Sequence, residues 1–172
     1  MKKLLISILA LSCLLVSLFT FPALALDTVL YVAPSAAGAA DGSSWEDAMT
    51  LDDAWSAATP GTKIFMREGT YTRTSVLTLK DGVSVYGGFA GTEVSEDERA
   101  LSDVDVNGIV EAWEFTHATL LTGNIRFFNG LNNADAVVDG LTMTSTGNTT
   151  AGSVISLFTG NVLQNAIVTS SN

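Results

Sequence analysis

Cysteine is almost missing. The chain has one, Cys13, in 172 residues. It lies inside an apolar run near the N-terminus, so the remainder of the chain carries no thiol. That excludes disulfide staples, thiolate metal sites and cysteine nucleophiles. Histidine is as scarce, with His117 alone. It has no second histidine for a metal, and neither Ser43-Ser44 nor Thr144-Ser145-Thr146 has a histidine partner for nucleophilic catalysis. Positive charge is also short, with 8 Lys+Arg against 18 Asp+Glu. Setting aside Lys2 and Lys3 leaves 6 basic residues and a net charge of −12. Such a surface repels nucleic acid and anionic membranes. It suits a polyanionic substrate such as pectate poorly, unless calcium bridges the two.

The one long apolar run is an address. Lys2 and Lys3 precede a nearly uninterrupted apolar stretch, residues 4–21, and Ala23-Leu24-Ala25 supplies the small residues of a cleavage site. Residues 1–25 therefore read as a signal peptide with a mature start at Leu26. The run is short for a membrane span, and a cleavage site follows it directly. An uncleaved anchor is the competing reading. Lipidation at Cys13 is disfavoured because that residue lies mid-run. The expected product is secreted or held at the cell surface, and is not an integral membrane protein after cleavage. An exported domain without disulfides must be held by backbone ladders and packed side chains.

The mature part reads as a strand, a loop and one helix over 26–61, then short strands over 62–172. Residues 28–32 open as a strand. Pro34, Gly38 and Gly42 punctuate the loop that follows. Thr50 and Asp53 resemble a capping box, and Leu51, Ala54, Trp55 and Ala58 recur on one helical face. Thr59-Pro60-Gly61 ends the helix. Strands are predicted at 63–67, 75–79, 83–86, 119–121, 125–128, 136–138, 141–144, 154–157 and 162–168. Val83, Val85 and Phe89 are expected to point one way, Ser84 and Tyr86 the other. Residues 94–107 read as an exposed acidic loop, and 111–115 as an edge strand. Trp45 is expected beside the helix.

Residues 136–147 lie over 161–172 at an offset of 25, with Gly140 against Asn165 and Thr144 against Thr169. Glycine and asparagine both tolerate a left-handed backbone, so each marks a bend between short strands. Strand–bend–strand units at such a period are the sequence signature of a β-solenoid. Successive hairpins of a sandwich would give the same spacing.

The order of motifs carries a resemblance. Tyr31-Val32-Ala33-Pro34-Ser35, Asp41-Gly42-Ser43-Ser44-Trp45, the Trp55 helix, Glu68-Gly69-Thr70-Tyr71 and the run from Val85-Tyr86-Gly87-Gly88-Phe89 to Glu93 resemble the N-terminal region of secreted right-handed parallel β-helix proteins, which are pectin-lyase-like in fold. Val137-Val138-Asp139-Gly140-Leu141-Thr142-Met143 resembles the recurring rung of that family. The resemblance implies an all-β solenoid with the short helix as an N-terminal cap, Leu51 and Trp55 covering the first coil. It implies four or five coils after Thr62, and a chain truncated at its C-terminal end, where an uncapped coil would pair with a partner.

The same resemblance raises polysaccharide chemistry: a basic residue that removes a proton, with calcium and carboxylates holding the sugar. Arg126 is the only basic residue of the later strands, and Asp135 and Asp139 are the nearby carboxylates. The plain reading is an exposed arginine and turn-forming aspartates. Asp41-Gly42 and Asp81-Gly82 lack the spacing of a calcium loop and read as turns. No catalytic set is found and no cofactor is required; calcium is the one ion left open. The leading reading is a secreted scaffold or binding module for polysaccharide or cell-surface glycan, with Trp113, Arg126, Asp135 and Asp139 as candidate contacts. The alternative is the N-terminal part of a polysaccharide lyase or glycoside hydrolase whose active coils lie beyond residue 172.

Overall fold

The computed structural model describes residues 27–132, 134–146 and 154–170. The predicted signal peptide and the ends of both repeat copies lie outside the described residues. Among the described residues, twelve strands form three sheets in which every strand pair is parallel. The first sheet stacks β1 (Thr28–Val32), β2 (Thr62–Arg67), β5 (Ser84–Phe89), β8 (Ala136–Asp139) and β11 (Asn161–Gln164). The second stacks β3 (Gly69–Thr72), β6 (Thr119–Gly123), β9 (Leu141–Ser145) and β12 (Ile167–Ser170). The third stacks β4 (Leu77–Thr78), β7 (Phe128–Asn129) and β10 (Ile155–Ser156). The chain visits the sheets in turn and returns one rung further along, which makes a parallel β-helix. Parallel pairing excludes the sandwich.

Register converts sequence into core. Leu30, Ile64, Val85, Val138 and Leu163 are successive partners across the first sheet. Tyr71, Leu121, Met143 and Val168 align across the second, and Leu77, Phe128 and Ile155 across the third. Each apolar column sits on the same side of its sheet because side chains alternate along a strand. The columns meet in one core cluster, except for Val168 on the last rung, which is exposed. The repeat appears at the expected offset: Val138 pairs with Leu163 and Thr144 with Thr169. Gly140 and Asn165 both take positive φ, 71° and 47°, at the corner between first and second sheets.

Helix α1 (Leu51–Ala57) begins as predicted, with the Asp53 amide donating to Thr50 Oγ1 at 3.2 Å. Leu51, Ala54 and Trp55 are buried, and Trp55 packs against Phe128 at 6.2 Å between ring centroids. Two basic side chains fix the helix to the first full coil. Arg73, after β3, pairs with Asp52 at 2.8 Å, and Lys80, after β4, donates to the Trp55 and Ala58 carbonyls at the helix end. Those carbonyls have no partner within the helix, so the ammonium serves as its C-terminal cap.

Several expectations need correction. Three full coils and two strands of a fourth follow Thr62 among the described residues, fewer than four or five, because residues 90–118 leave the stack as one long excursion. Gly69–Thr72 is a strand in its own right, while residues 162–168 divide between β11 and β12. No strand forms at 111–115; only Phe115 makes an antiparallel bridge, with Leu101. Phe89 does not join Val83 and Val85. The register shifts between Phe65 and Arg67 where β5 passes Gly87-Gly88, and Phe89 turns to the outer face. Gly88 has φ 92°, and a Cβ there would lie 2.7 Å from the Phe115 ring.

Trp45 also lies elsewhere than beside the helix. Tyr31, Phe65 and Tyr86 are register partners on the outer face of the first sheet, stacked edge to face at 6.0 and 5.8 Å. Trp45 and Phe89 cover them and form a second, smaller core. The Trp45 indole donates to the Glu93 carbonyl at 2.7 Å, which satisfies its one polar atom.

Candidate functional site

The outer aromatic ladder continues into Asp139, the partner of Tyr86 on the next rung. Asp139 is 2% exposed. A buried carboxylate requires a partner, and the excursion supplies one. Arg99 Nη2 lies 2.9 Å from Asp139 Oδ2, and Asn165 donates to the other oxygen at 2.8 Å. The guanidinium also donates to the Glu96 and Gly87 carbonyls. It lies over the rings of Phe115, Tyr86 and Phe89, at 4.5, 5.6 and 5.6 Å from their centroids. Arg99 therefore clamps the excursion to the wall of the stack through charge, hydrogen bonds and cation–π contact.

Beyond this clamp the excursion forms a closed loop. Ser102 donates to the Glu114 carbonyl at 3.0 Å and Thr116 to that of Ala100 at 2.9 Å, so the two ends of residues 103–114 are held side by side. Asp103, Asp105 and Glu114 each bring a carboxylate oxygen within 4.8 Å of the others. Glu114 is 1% exposed. Its Oε1 accepts from the Val104 and Asp105 amides at 2.7 and 3.1 Å, and its Oε2 from the Glu111 amide at 2.7 Å. Burial pushes its pKa up, but these amides and the neighbouring Glu111 carboxyl outweigh it and hold the pKa below the usual range. Asn107 donates to Glu111, which lowers the Glu111 pKa. The adjacent Glu114 charge, lost water and Asp105 prevail, leaving it raised.

The four candidate contacts named from the sequence occupy different places. Trp113 is half-buried and lines a small cavity where the excursion meets Thr142, Asn165 and Ile167. Asp139 is occupied by Arg99 and Asn165. Arg126 donates to Asn129 at 3.2 Å, while its Nε is buried without a partner. Asp135 is exposed at a coil corner, its amide donating to Asp81 at 2.9 Å. Among the described residues, no hydrogen bond or ion pair joins Arg126 or Asp135 to the other two. Asn165 brings Trp113 and Asp139 into one neighbourhood. His117 lies 2.8 Å from Glu68, strapping the end of the excursion to the corner between β2 and β3.

Sequence reasoning missed Arg99 and the carboxylate loop. Arg99 had no local signal, since its partner is forty residues away. The loop did have one. Asp103, Asp105, Asn107 and Gly108, then Glu111 and Glu114, form a continuous spaced pattern. Dividing this stretch into an acidic loop ending at 107 and a strand starting at 111 cuts the pattern in two.

Comparison with protein-family models gives no match, and comparison with curated proteins gives none either. Among solved structures, the chain is similar to the pectate lyase Pel9A, with a TM-score of 0.44 and 14% identity, over 84% of this chain and 34% of that one. The chain spans about a third of that lyase's length. The strand pairing of the chain itself defines it as a parallel β-helix. Among the described residues, no helix is long and apolar enough to cross a membrane.

Proposed function

We propose that this chain is a secreted or cell-surface β-helix scaffold that presents its 90–118 excursion as a binding element for polysaccharide or cell-surface glycan. One observation carries the reading. Asp139, one of the two carboxylates that a catalytic set with Arg126 would draw on, is committed to holding that excursion in place through Arg99. A charged group buried for anchoring is not free to move protons or grip a sugar. The half-buried Trp113 indole, beside Thr142 and Asn165, supplies the apolar face and polar neighbours that a sugar ring uses. Export is supported by the N-terminal sequence, with its basic start, apolar run and small-residue cleavage site.

The test is a glycan array probed with the purified protein in the presence and absence of calcium. The expected result is binding to a defined glycan class without turnover, lost in Trp113→Ala. Release of unsaturated sugars from any polysaccharide would overturn the reading in favour of a lyase.

A further inference from the structure

We infer that residues 103–114 form a calcium-binding loop, a site beyond the glycan reading and independent of it. Three observations converge. The first is linear spacing. A twelve-residue calcium loop needs oxygen ligands at positions 1, 3 and 5, a glycine at 6, a backbone carbonyl at 7, a ligand at 9 and a glutamate at 12. Asp103, Asp105, Asn107, Gly108, Ile109, Glu111 and Glu114 fill those positions in order. The glycine is at the position where the backbone turns left-handed, with φ 87° at Gly108.

The second observation is the convergence of charge. Positions 1, 3 and 12 bring their carboxylate oxygens to within 4.8 Å of one another. None of the ion pairs among the described residues reaches Asp103, Asp105, Glu111 or Glu114. The third is an orphaned atom. Glu111 Oε2, at position 9, is buried and has no hydrogen-bond partner, although its carboxyl is in contact with that of Glu114. Gathered carboxylates, one with a stranded buried oxygen, are costly without a cation. A hard divalent ion with oxygen ligands supplies what the cluster lacks.

The setting differs from a helix–loop–helix. Here the Leu101–Phe115 bridge and its flanking hydrogen bonds bring the first and last ligands together. Arg99 then fastens that bridge to the stack. The loop is thus preorganised by the β-helix wall, and the ion would fix the tip of the excursion.

Calorimetric titration of the purified protein with Ca²⁺, and luminescence of Tb³⁺ excited through Trp113 beside the last ligand, provide the test. The expected result is one saturable Ca²⁺ site per chain, Tb³⁺ emission displaced by Ca²⁺ far more effectively than by Mg²⁺, and protection of the excursion from proteolysis. Glu114→Gln should abolish the site. Because Glu114 is buried, the exposed Asp105→Asn provides a second test, with weaker binding and an unchanged circular dichroism spectrum. Asp97→Asn, acidic and on the same excursion, should leave binding intact. No saturable Ca²⁺ binding, equal displacement by Mg²⁺, or binding untouched by both loop variants would overturn the inference. A glycan-array result of either kind would leave it standing, so the two readings fail separately.

Discussion

Arg99 and Asp139 meet at 2.9 Å with side chains 9% and 3% exposed, and they join the excursion to the third rung across forty residues of sequence. Removing one partner strands the other charge in a poorly solvated site. Asp139→Ala and Arg99→Ala are each expected to cost about 3–5 kcal/mol. The double variant should cost clearly less than the sum, since it leaves no unpaired charge. Urea denaturation of the four proteins measures this, and strictly additive losses would show that the pair is not coupled.

Trp55 fills the junction between the helix and the first coils. Truncation to alanine should destabilise the protein by about 3–5 kcal/mol and expose the end of the core to other chains. Chemical denaturation and light scattering report both effects. An unchanged midpoint with no aggregation would mean that α1 does not close that end.

Corner geometry separates two residues that share a role. A Cβ at Gly140 would lie 2.8 Å from the Arg99 guanidinium and from the Gly87 carbonyl, in a left-handed backbone. Gly140→Ala should therefore loosen the excursion as well as strain the corner. At Asn165, φ is also positive, so Asn165→Gly should be tolerated by the backbone and lose only the hydrogen bond to the Asp139 carboxylate, about 1.5–3 kcal/mol. Thermal melts of the two variants should differ accordingly.

Glu93 ties the outer layer to acid conditions. Burial raises its pKa, but amides of Ala90, Thr92, Glu93 and Gly91 outweigh that and leave it below its ordinary value of 4.5. The native state thus releases this proton more readily than the unfolded chain. Its contribution is complete above the ordinary glutamate range and is lost as pH falls through the lowered native value. Glu93→Gln should lose stability at neutral pH and flatten the acid limb. Denaturation midpoints at a series of pH values would show this, and parallel curves for the two proteins would contradict it.

What the sequence conveyed depended on the range of each interaction. Helix α1 was legible because its cap, Thr50 with Asp53, and its apolar face lie within one local stretch. The Gly140 and Asn165 corners were legible because their repeat spacing matches one turn of the solenoid. Register was legible wherever alternation held, as for Val83 and Val85. It failed at Phe89, where the register shifts at a glycine pair and the Phe115 ring of the distant excursion packs close against Gly88. Trp45 was misplaced for the same reason. Nothing near it in sequence indicates that Tyr31, Phe65 and Tyr86 will build an aromatic column on the outer wall. The carboxylate loop was readable in principle, because its spacing is entirely local, and was hidden only by a boundary drawn through it.

Three regions of the molecule each carry a native optical probe. Of its three tryptophans, Trp45 senses the external wall, Trp55 the capped interior and Trp113 the displayed tip. Single-tryptophan variants can therefore follow the loss of each region by emission alone, revealing whether the solenoid melts as one unit or sheds its covering first.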